Sequence, residues 1–422
     1  MQRVSEQTGI VFEEFNDTPA LVATEDDAAV QLARTLTGAN GVGKVAYVTE
    51  GGLYKQSGIP TVICGPGSIE HAHKPDEFIA LDQVQQCEGF KRRLLTPLMQ
   101  PVSGVRRLPA APGVAVTPPD IMPYRNGNTG IDYVTSFDSG RSGPHVVVNA
   151  LTHGNEICGA IALDQLFRDK LRPDRGRLSL SFANVAAYQR FDAAAPNASR
   201  FLDEDFNRLW DEATLDGPRR SRELARARQL RPFFASADLL LDIHSMQFAT
   251  APLMLVGTAA KTLPFARRVG VPALIVADAG HAAGRRLRDH GAFGDPTAPQ
   301  LALLVECGQH WQADSGAVAL DTAYRFLAAA GVLAAEETQR RLAAPVPPQR
   351  VITVTAAITI ASDDFRFVAP YQGLEVIPKA GTVIGHDGES AIVTPYDDCV
   401  LIMPARRPAR GQTAVRLGRF TG

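Results

Sequence analysis

The sequence predicts an α/β protein whose central sheet is mostly parallel and carries helices on both faces. The first observation is a series of short apolar runs in the middle of the chain, such as HVVVNAL and LALLVE. Continuous runs, rather than an alternation of apolar and polar residues, are what a parallel sheet covered on both faces requires. The second observation is helical stretches between these runs, near 156–168 and 218–231. The predicted strands are 145–151, 178–183, 238–243, 251–257, 273–278 and 301–306.

The N-terminal region, residues 1–97, has a similar but shorter pattern. Apolar runs at 44–48 (KVAYV) and 60–64 (PTVIC) alternate with helical stretches near 26–37 and 80–95. Strands that alternate with helices favour α/β packing. We therefore expect a small α/β segment at the start of the chain.

Two proline-rich stretches divide the rest of the chain. Residues 98–130 are rich in proline and glycine, which is typical of a linker or a surface wrap. The main α/β domain follows at 131–342, and a second cluster of prolines separates it from residues 350–422. That last region has short alternating strands and turn sequences such as HDGES, and it predicts a small all-β domain.

Composition and charge argue against several classes of function. Of the 422 residues, 45% are hydrophobic and 21% are charged, and the formal net charge is −2. This balance gives no electrostatic reason to expect binding to nucleic acid or to an anionic membrane. The N-terminus lacks the apolar stretch of a signal peptide, and no apolar run approaches the ~18 residues of a membrane span. The five cysteines show no CxxC spacing, which fits reduced thiols in the cytoplasm.

Two histidines and a glutamate near strand ends predict a zinc site. His153 and Glu156 follow the strand HVVVNAL, at a junction between a strand and a helix, and His244 ends the strand DLLLDIHS. Ligands collect at the carboxyl edge of a parallel sheet. A catalytic zinc ion takes three protein ligands and keeps one open position. We therefore expect His153, Glu156 and His244 to bind one zinc ion.

Two further carboxylates lie near these residues. Asp242 comes two residues before His244 and is a candidate to orient that imidazole, although strand alternation alone also explains the spacing. Glu306 ends the apolar run LALLVE, where a carboxylate is costly unless it has a partner or a use. Beside a zinc-activated water it could take a proton and deliver it to a leaving nitrogen. Taken alone, Glu306 fits a surface carboxylate at a strand end better.

Four motifs, in this order along the chain, resemble the succinylglutamate desuccinylase and aspartoacylase family, a branch of the zinc carboxypeptidase superfamily. The motifs are HGNE (153–156), the stretch from Asn184 to Arg208, DIHS (242–245) and VECG (305–308). The similarity covers about residues 116–422 and implies a zinc carboxypeptidase-like fold. It also implies that residues 350–422 correspond to the C-terminal barrel-like domain of that family, which can wall the active site.

The resemblance implies a role for each site residue. The zinc ligands would be the three residues already named, and Glu306 would be the general base and acid. Arg200 would polarise the scissile carbonyl and hold the developing oxyanion. Asn207 and Arg208 match the DxNR element and would bind the substrate carboxylate, which a guanidinium can hold through two hydrogen bonds. Without the resemblance, the two arginines fit a solvated charged segment.

One stretch departs from the family pattern. Aspartoacylase-like members carry a substrate-binding arginine about ten residues before the catalytic glutamate, whereas residues 295–306 read DPTAPQLALLVE and contain no arginine. The missing arginine argues against an acidic acyl or amino-acid group, and the sequence leaves the identity of the substrate open.

Residues 1–97 resemble a different family, the C-terminal part of acetylornithine deacetylase-type metallopeptidases. The similarity rests on TEGGLYKQSGIPTVICGPGSIEHAHKPDEF at 49–78. The histidine that matches His73 is a metal ligand in that family, but one histidine cannot build a two-metal site. We expect a fused remnant; the alternative is a separately encoded protein that supplies the missing half. The exposed apolar faces of such a fragment also make a second copy of the chain a candidate partner.

These patterns together predict a zinc-dependent amidohydrolase that removes an acyl group from a small N-acyl amino acid or a similar amide or ester. Two alternatives stay open. One is a carboxypeptidase that acts on peptides, which a wide cleft would favour. The other is a non-catalytic scaffold that uses the N-terminal segment for assembly, and this alternative predicts a folded protein without zinc.

Overall fold

The computed structural model describes residues 19–38, 41–43, 49–68, 71, 74–99, 113–280, 283–342, 345, 347–405 and 408–421. The chain separates into two compact units, Met1–Arg107 and Leu108–Gly422. Within the described ranges, no helix has both the length and the apolar character that crossing a membrane requires.

The described part of the first unit is helical. Its helices are α1 (Ala28–Thr37), α2 (Gly51–Gln56) and α3 (Leu81–Met99). Helices α1 and α3 confirm the two helical stretches predicted from the sequence. The predicted strand at 44–48 lies outside the described residues, and so does His73.

The prediction of a strand at 60–64 is wrong. The run PTVIC has no regular secondary structure, and Ile63 and Cys64 are exposed. A strand needs a neighbouring strand to satisfy its backbone hydrogen bonds. No strand of the first unit that falls within the described ranges provides such a neighbour, so the β-propensity of this run is not sufficient.

The second unit consists of strands with helices between them. The strands are β1 (Val134–Asp138), β2 (His145–Ala150), β3 (Arg177–Phe182), β4 (Leu239–Met246), β5 (Leu253–Val256), β6 (Leu274–Ala277), β7 (Leu301–Gln309), β8 (Arg350–Thr359), β9 (Phe365–Phe367), β10 (Val376–Ile377), β11 (Val383–Asp387), β12 (Ser390–Val393), β13 (Cys399–Ile402) and β14 (Thr413–Phe420). The α-helices are α4 (Ile157–Arg168), α5 (Val185–Tyr188), α6 (Glu212–Asp216), α7 (Arg222–Ala235), α8 (Thr262–Val269), α9 (Gly291–Gly294), α10 (Ala313–Ala329) and α11 (Ala335–Arg341).

The strands form an 11-stranded sheet in the order β1-β3-β2-β4-β7-β5-β6-β8-β14-β13-β10, and a three-stranded sheet in the order β12-β11-β9. Strands β3, β2, β4 and β7 are parallel neighbours, which confirms the predicted mostly parallel centre. Strand β1 runs antiparallel to β3, and β5 runs antiparallel to β7 although it is parallel to β6. An apolar run carries no information about strand direction, so the sequence did not indicate these reversals.

Apolar side chains on the two faces of the sheet enter separate cores. Val146 and Val148 of β2 pack in a core that includes Leu163 of α4 and Phe326 of α10. Val147, between them, packs in the core that includes residues of α7. Full burial of one such side chain contributes roughly 1.5–3 kcal/mol. The two cores explain why the strand sequences are apolar throughout, and they confirm helices on both faces.

The C-terminal strands continue the central sheet. Strand β8 pairs in parallel with β6, and β14 and β13 follow in antiparallel pairs. Ile402 of β13 lies directly opposite Arg416 of β14. The described part of region 350–422 contains only strands, as expected. Its first strand, β8, is hydrogen-bonded to β6 of the central sheet. A separate domain at 350–422 stays a prediction.

Candidate metal centre

The predicted zinc ligands lie at the carboxyl ends of neighbouring parallel strands. Strand β2 ends at Ala150, the following loop carries His153, and Glu156 is the N-cap residue of α4. His244 lies near the end of β4, directly opposite Glu306 of β7. The parallel order of β2, β4 and β7 thus brings together side chains that are far apart in the sequence.

A glycine permits the tight loop of the HGNE motif. A Cβ atom on Gly154 would come within 2.4 Å of the backbone O of Ser199 and of the backbone N of Tyr188. The N–H of Gly154 donates a hydrogen bond of 3.0 Å to the carbonyl of Arg200. Only a residue without a side chain allows this approach, so Gly154 draws the Arg200 segment against the ligand loop.

His153, Glu156 and His244 form a compact cluster. One ligand atom of each lies within 4.8 Å of the other two, and their exposed fractions are 3%, 1% and 2%. Oε1 of Glu156 is 2.7 Å from Nδ1 of His153, and Oε2 is 2.8 Å from Nδ1 of His244. Burial acts to raise the pKa of Glu156, but the two imidazoles outweigh it and hold that pKa well below its usual value.

This donor set fits a zinc ion. Two imidazoles and one carboxylate form a ligand set of catalytic zinc sites, which keep a fourth position open. Oε2 of Glu156 is buried, and its 2.8 Å contact with Nδ1 of His244 does not have the geometry of a hydrogen bond. A buried polar atom without a partner costs about 1–3 kcal/mol. A cation bound by the three side chains would satisfy this oxygen.

Carboxylates hold the other nitrogen of each imidazole. Nε2 of His244 donates a hydrogen bond of 2.8 Å to Asp242. Nε2 of His153 lies 3.0 Å from Oδ1 of Asp205 and 3.0 Å from Nη2 of Arg200. The two Nδ1 atoms are thereby left facing Glu156. Hydrogen bonds of this kind fix the orientation of a metal-binding imidazole and raise its basicity.

We expect Asp242→Asn to weaken zinc binding by ~10–100-fold in a protein that stays folded. The carboxylate accepts hydrogen bonds from His244, Asn149 and Thr152, and an amide would replace one acceptor oxygen by a donor. Competition with a zinc chelator measures the affinity. Asp238→Asn is the control, because Asp238 lies just before the amino end of the same strand and binds the backbone of His145. Equal zinc affinities in the two variants would contradict an orienting role for Asp242.

Glu306 faces the cluster from β7. Its side chain opens onto a cavity that the three clustered side chains also line, and Oε2 has no hydrogen-bond partner among the described residues. Withdrawal from bulk water raises the pKa of this carboxyl well above its usual value; His244 opposes the shift and Glu156 adds to it. A carboxyl group in such surroundings is suited to accept a proton and to release it again.

The arginines predicted for substrate binding lie beside the cluster. Nη1 of Arg200 is 3.5 Å from Oε1 of Glu156. Arg208 is half-buried and donates to the carbonyl of Asn207 at 2.8 Å. Oδ1 of Asn207 accepts a 2.9 Å hydrogen bond from the backbone N–H of Leu287. Asn207 therefore fixes the loop after β6 through its side-chain oxygen.

A single cavity of about 360 Å³ is lined by all of the predicted site residues: His153, Glu156, Arg200, Asn207, Arg208, His244 and Glu306. Apolar side chains of the central sheet, Leu255, Val276 and Leu304, form another part of its wall. Ile402 and Arg416 of the C-terminal strands also line it. The C-terminal strands therefore contribute directly to the site.

A second cluster of charge lies in the same cavity wall. Nη1 of Arg286 donates a 2.9 Å hydrogen bond to Oδ2 of Asp278, and its Nε donates one of 2.8 Å to Asp289. Nε of Arg416 is 3.4 Å from the same oxygen of Asp278. Nη2 of Arg286 and Nε of Arg416 are buried and have no hydrogen-bond partner within the described ranges. Arg286 and Arg416 thus share the carboxylate of Asp278.

Sequence reasoning missed several residues of the site. Asp205 is the first residue of the DxNR element, so that motif was an available signal. His310 lies four residues after Glu306, directly beyond β7, and is 1% exposed. Burial lowers the pKa of its imidazole to about 3. Arg286 and Arg416 had no signal in the sequence, because only the order of the strands brings them together.

Known proteins resemble the second unit in sequence and in structure. Residues 142–328 match the model of the succinylglutamate desuccinylase/aspartoacylase catalytic domain. A succinylglutamate desuccinylase of Vibrio vulnificus (strain YJ016) is 25% identical over 291 residues, which cover 64% of this chain and 79% of that protein. Solved structures of succinylglutamate desuccinylases from Vibrio parahaemolyticus and Vibrio cholerae have TM-scores of 0.51 and 0.50 with this chain, at 17% and 19% sequence identity. They cover 69% and 68% of this chain, and 87% and 85% of their own.

A shorter match confirms the second resemblance. An acetylornithine deacetylase of Buchnera aphidicola (strain Tuc7) is 32% identical over 81 residues, which are 19% of this chain and 21% of that protein. The similarity to acetylornithine deacetylase is therefore partial.

Three observations agree on the family of the second unit: the matched catalytic domain, the similar fold of the solved structures, and the cluster of two histidines and a glutamate. The chain accordingly carries a catalytic domain of the succinylglutamate desuccinylase/aspartoacylase family and is a zinc hydrolase of that deacylase type.

Proposed function

We propose that this protein hydrolyses a small N-acyl amino acid to a carboxylic acid and a free amino acid. The observation that carries the proposal is the cluster of His153, Glu156 and His244, which opens together with Glu306 onto one cavity. One zinc ion per chain, bound by the three clustered side chains, would supply the Lewis acidity that activates water and polarises the acyl carbonyl.

The residues around the cluster bind the substrate, stabilise developing charge and transfer the proton. Arg208 binds the carboxylate of the amino acid and so places the scissile amide, while Asn207 supports that segment. Arg200 stabilises the negative charge that develops on the acyl oxygen. Glu306 takes a proton from the attacking water and passes it to the nitrogen as the C–N bond breaks. The products are a carboxylate and an amine.

We further propose that the substrate carries a second anionic group, bound by Arg286 and Arg416. Arg286 and Arg416 share one carboxylate of the cavity wall, Asp278, and Arg208 is close enough for its positive charge to act on theirs. Burial lowers the pKa of Arg208 and of Arg416, and repulsion between the arginines adds to both shifts. Buried charges are normally paired. A substrate carboxylate would supply the missing partner.

We expect N-acetyl-glutamate to be hydrolysed with a kcat/KM ~10–100-fold higher than N-acetyl-glutamine, the difference that a hydrogen bond to a charged group typically gives. Arg416→Gln should remove most of this preference by raising KM for the acid. Arg419→Gln is the matched control, because Arg419 lies on the same strand and packs over Tyr396 instead. Equal rates for the acid and the amide would contradict the second anionic group without affecting the proposed deacylase activity.

The dimensions of the cavity favour a small substrate over a peptide. A volume of about 360 Å³, walled on one side by the C-terminal strands, is at the small end for ligand sites. A panel of N-acetyl, N-succinyl and N-formyl amino acids, assayed with zinc-loaded protein beside a set of short peptides, tests the proposal. Release of C-terminal residues from peptides without deacylation would favour a carboxypeptidase. A folded protein that binds no zinc would favour a scaffold.

A cytoplasmic location belongs to the same proposal. Cys64, Cys87, Cys158, Cys307 and Cys399 are free thiols. Reduced cysteines are typical of a reducing compartment.

A further inference from the structure

His310 is a buried imidazole of the cavity wall that has no role in the reaction described above. It follows directly after β7, four residues beyond Glu306. The register between β4 and β7 shifts by one residue after His244, so that Met246 pairs with Gln309. Bulges of this kind are frequent next to active sites, where they redirect a side chain. Here the bulge is followed by a backbone hydrogen bond of 2.8 Å from His310 to Met246.

The ring of His310 is held in one orientation. Nδ1 lies 2.8 Å from the hydroxyl of Ser245, and the ring packs against Trp311 with 5.4 Å between the ring centres. Ser245 directly follows His244 in β4, so the same strand that carries a metal ligand also positions this imidazole. A side chain held by packing and by a hydrogen bond is suited to precise contact with a substrate.

The other nitrogen, Nε2, has no hydrogen-bond partner among the described residues although it is buried. Leaving such an atom unpaired costs about 1–3 kcal/mol. The charged and titratable groups that act on the ring are Glu156, Arg200, His153 and His244, which places it beside the metal cluster and the oxyanion arginine. Oε2 of Glu306 also lacks a partner and opens onto the same cavity. A substrate bound in this cavity would therefore meet two polar atoms without hydrogen-bond partners, Nε2 of His310 and Oε2 of Glu306.

We propose that Nε2–H of His310 donates a hydrogen bond to the acyl oxygen of the substrate, and that it shares the stabilisation of the developing negative charge with Arg200. This inference rests on the proposed deacylase function. In the neutral imidazole, a hydrogen bond from the Ser245 hydroxyl to Nδ1 leaves the proton on Nε2. An amide substrate matches both unsatisfied groups: its oxygen needs a donor, and the proton that moves to its nitrogen needs a carrier such as Glu306.

Two substitutions separate a catalytic role from a structural one. In His310→Gln the side-chain amide reaches the place of Nε2, whereas in His310→Asn it reaches only the place of Nδ1 and retains the contact with Ser245. We expect His310→Asn to keep its zinc and its melting temperature but to lose ~10²-fold in kcat, the usual effect of removing one oxyanion donor. His310→Gln should keep most of kcat, and KM should change little in either variant.

A purely structural role predicts the opposite order, with the asparagine variant active and the glutamine variant impaired, and this result would overturn the proposal. A second readout does not depend on turnover. In zinc-loaded Glu306→Gln protein, the ¹⁵N resonance of Nε2 should shift when N-acetyl-glutamate binds, and a binding isotherm without such a shift would also count against the contact. If the wild-type protein hydrolyses no N-acyl amino acid at all, the proposed function fails, and this inference fails with it.

Discussion

His244→Ala should abolish zinc binding at the cluster and with it the deacylase activity. The imidazole supplies one of three proposed ligands, and its Nδ1 lies 2.8 Å from Oε2 of Glu156. Alanine also leaves Asp242 without the hydrogen bond that it accepts from Nε2. Loss of an orienting partner alone typically weakens metal binding by ~10–100-fold, so loss of the ligand itself should exceed ~10²-fold. Metal analysis after dialysis and an assay of kcat/KM measure the two effects.

The control for this prediction is His386→Ala. His386 lies on β11 of the three-stranded sheet and does not line the cavity. It should retain the zinc content and the activity of the wild-type protein. A folded His244→Ala protein that keeps a full equivalent of zinc would exclude His244 from the site.

The strands and the side chains at their ends could be predicted from the sequence for the same physical reason. A strand buried on both faces must be apolar throughout, so a polar residue such as His244 or Glu306 at the end of such a run is conspicuous. The parallel order then carries these ends to one edge of the sheet. The three predicted zinc ligands and Glu306 therefore line one cavity.

Other contributors to the site could not be predicted, because they depend on pairings between distant segments. Arg416 reaches the cavity only because β8 joins β6 and β14 joins β8. Arg286 lies on a loop that is fixed by the hydrogen bond between Asn207 and Leu287. Residues 295–306 contain no arginine, and Arg286 and Arg416 reach the cavity wall from other parts of the chain.

Glu306→Gln should keep its zinc and lose ~10²-fold or more in kcat, because the amide cannot take the proton from water. The substitution preserves the shape of the side chain, and none of the three proposed ligands is changed. Since Oε2 of Glu306 has no hydrogen-bond partner among the described residues, the variant should lose little stability. KM should change less than kcat, because the proton is transferred in the reaction and not in substrate binding.

Glu223→Gln provides the matched control for a buried carboxylate. Glu223 is fully buried and accepts hydrogen bonds from the backbone N–H groups of Leu202 (2.6 Å) and Asp203 (3.0 Å) and from the side chain of Asn184 (3.2 Å). Its amide should reduce the free energy of unfolding by about 1–3 kcal/mol, while the folded fraction keeps its kcat. Glu223→Gln should therefore lower stability without lowering kcat, and Glu306→Gln should lower kcat without lowering stability. A near-normal kcat in zinc-loaded Glu306→Gln would show that another group carries the proton.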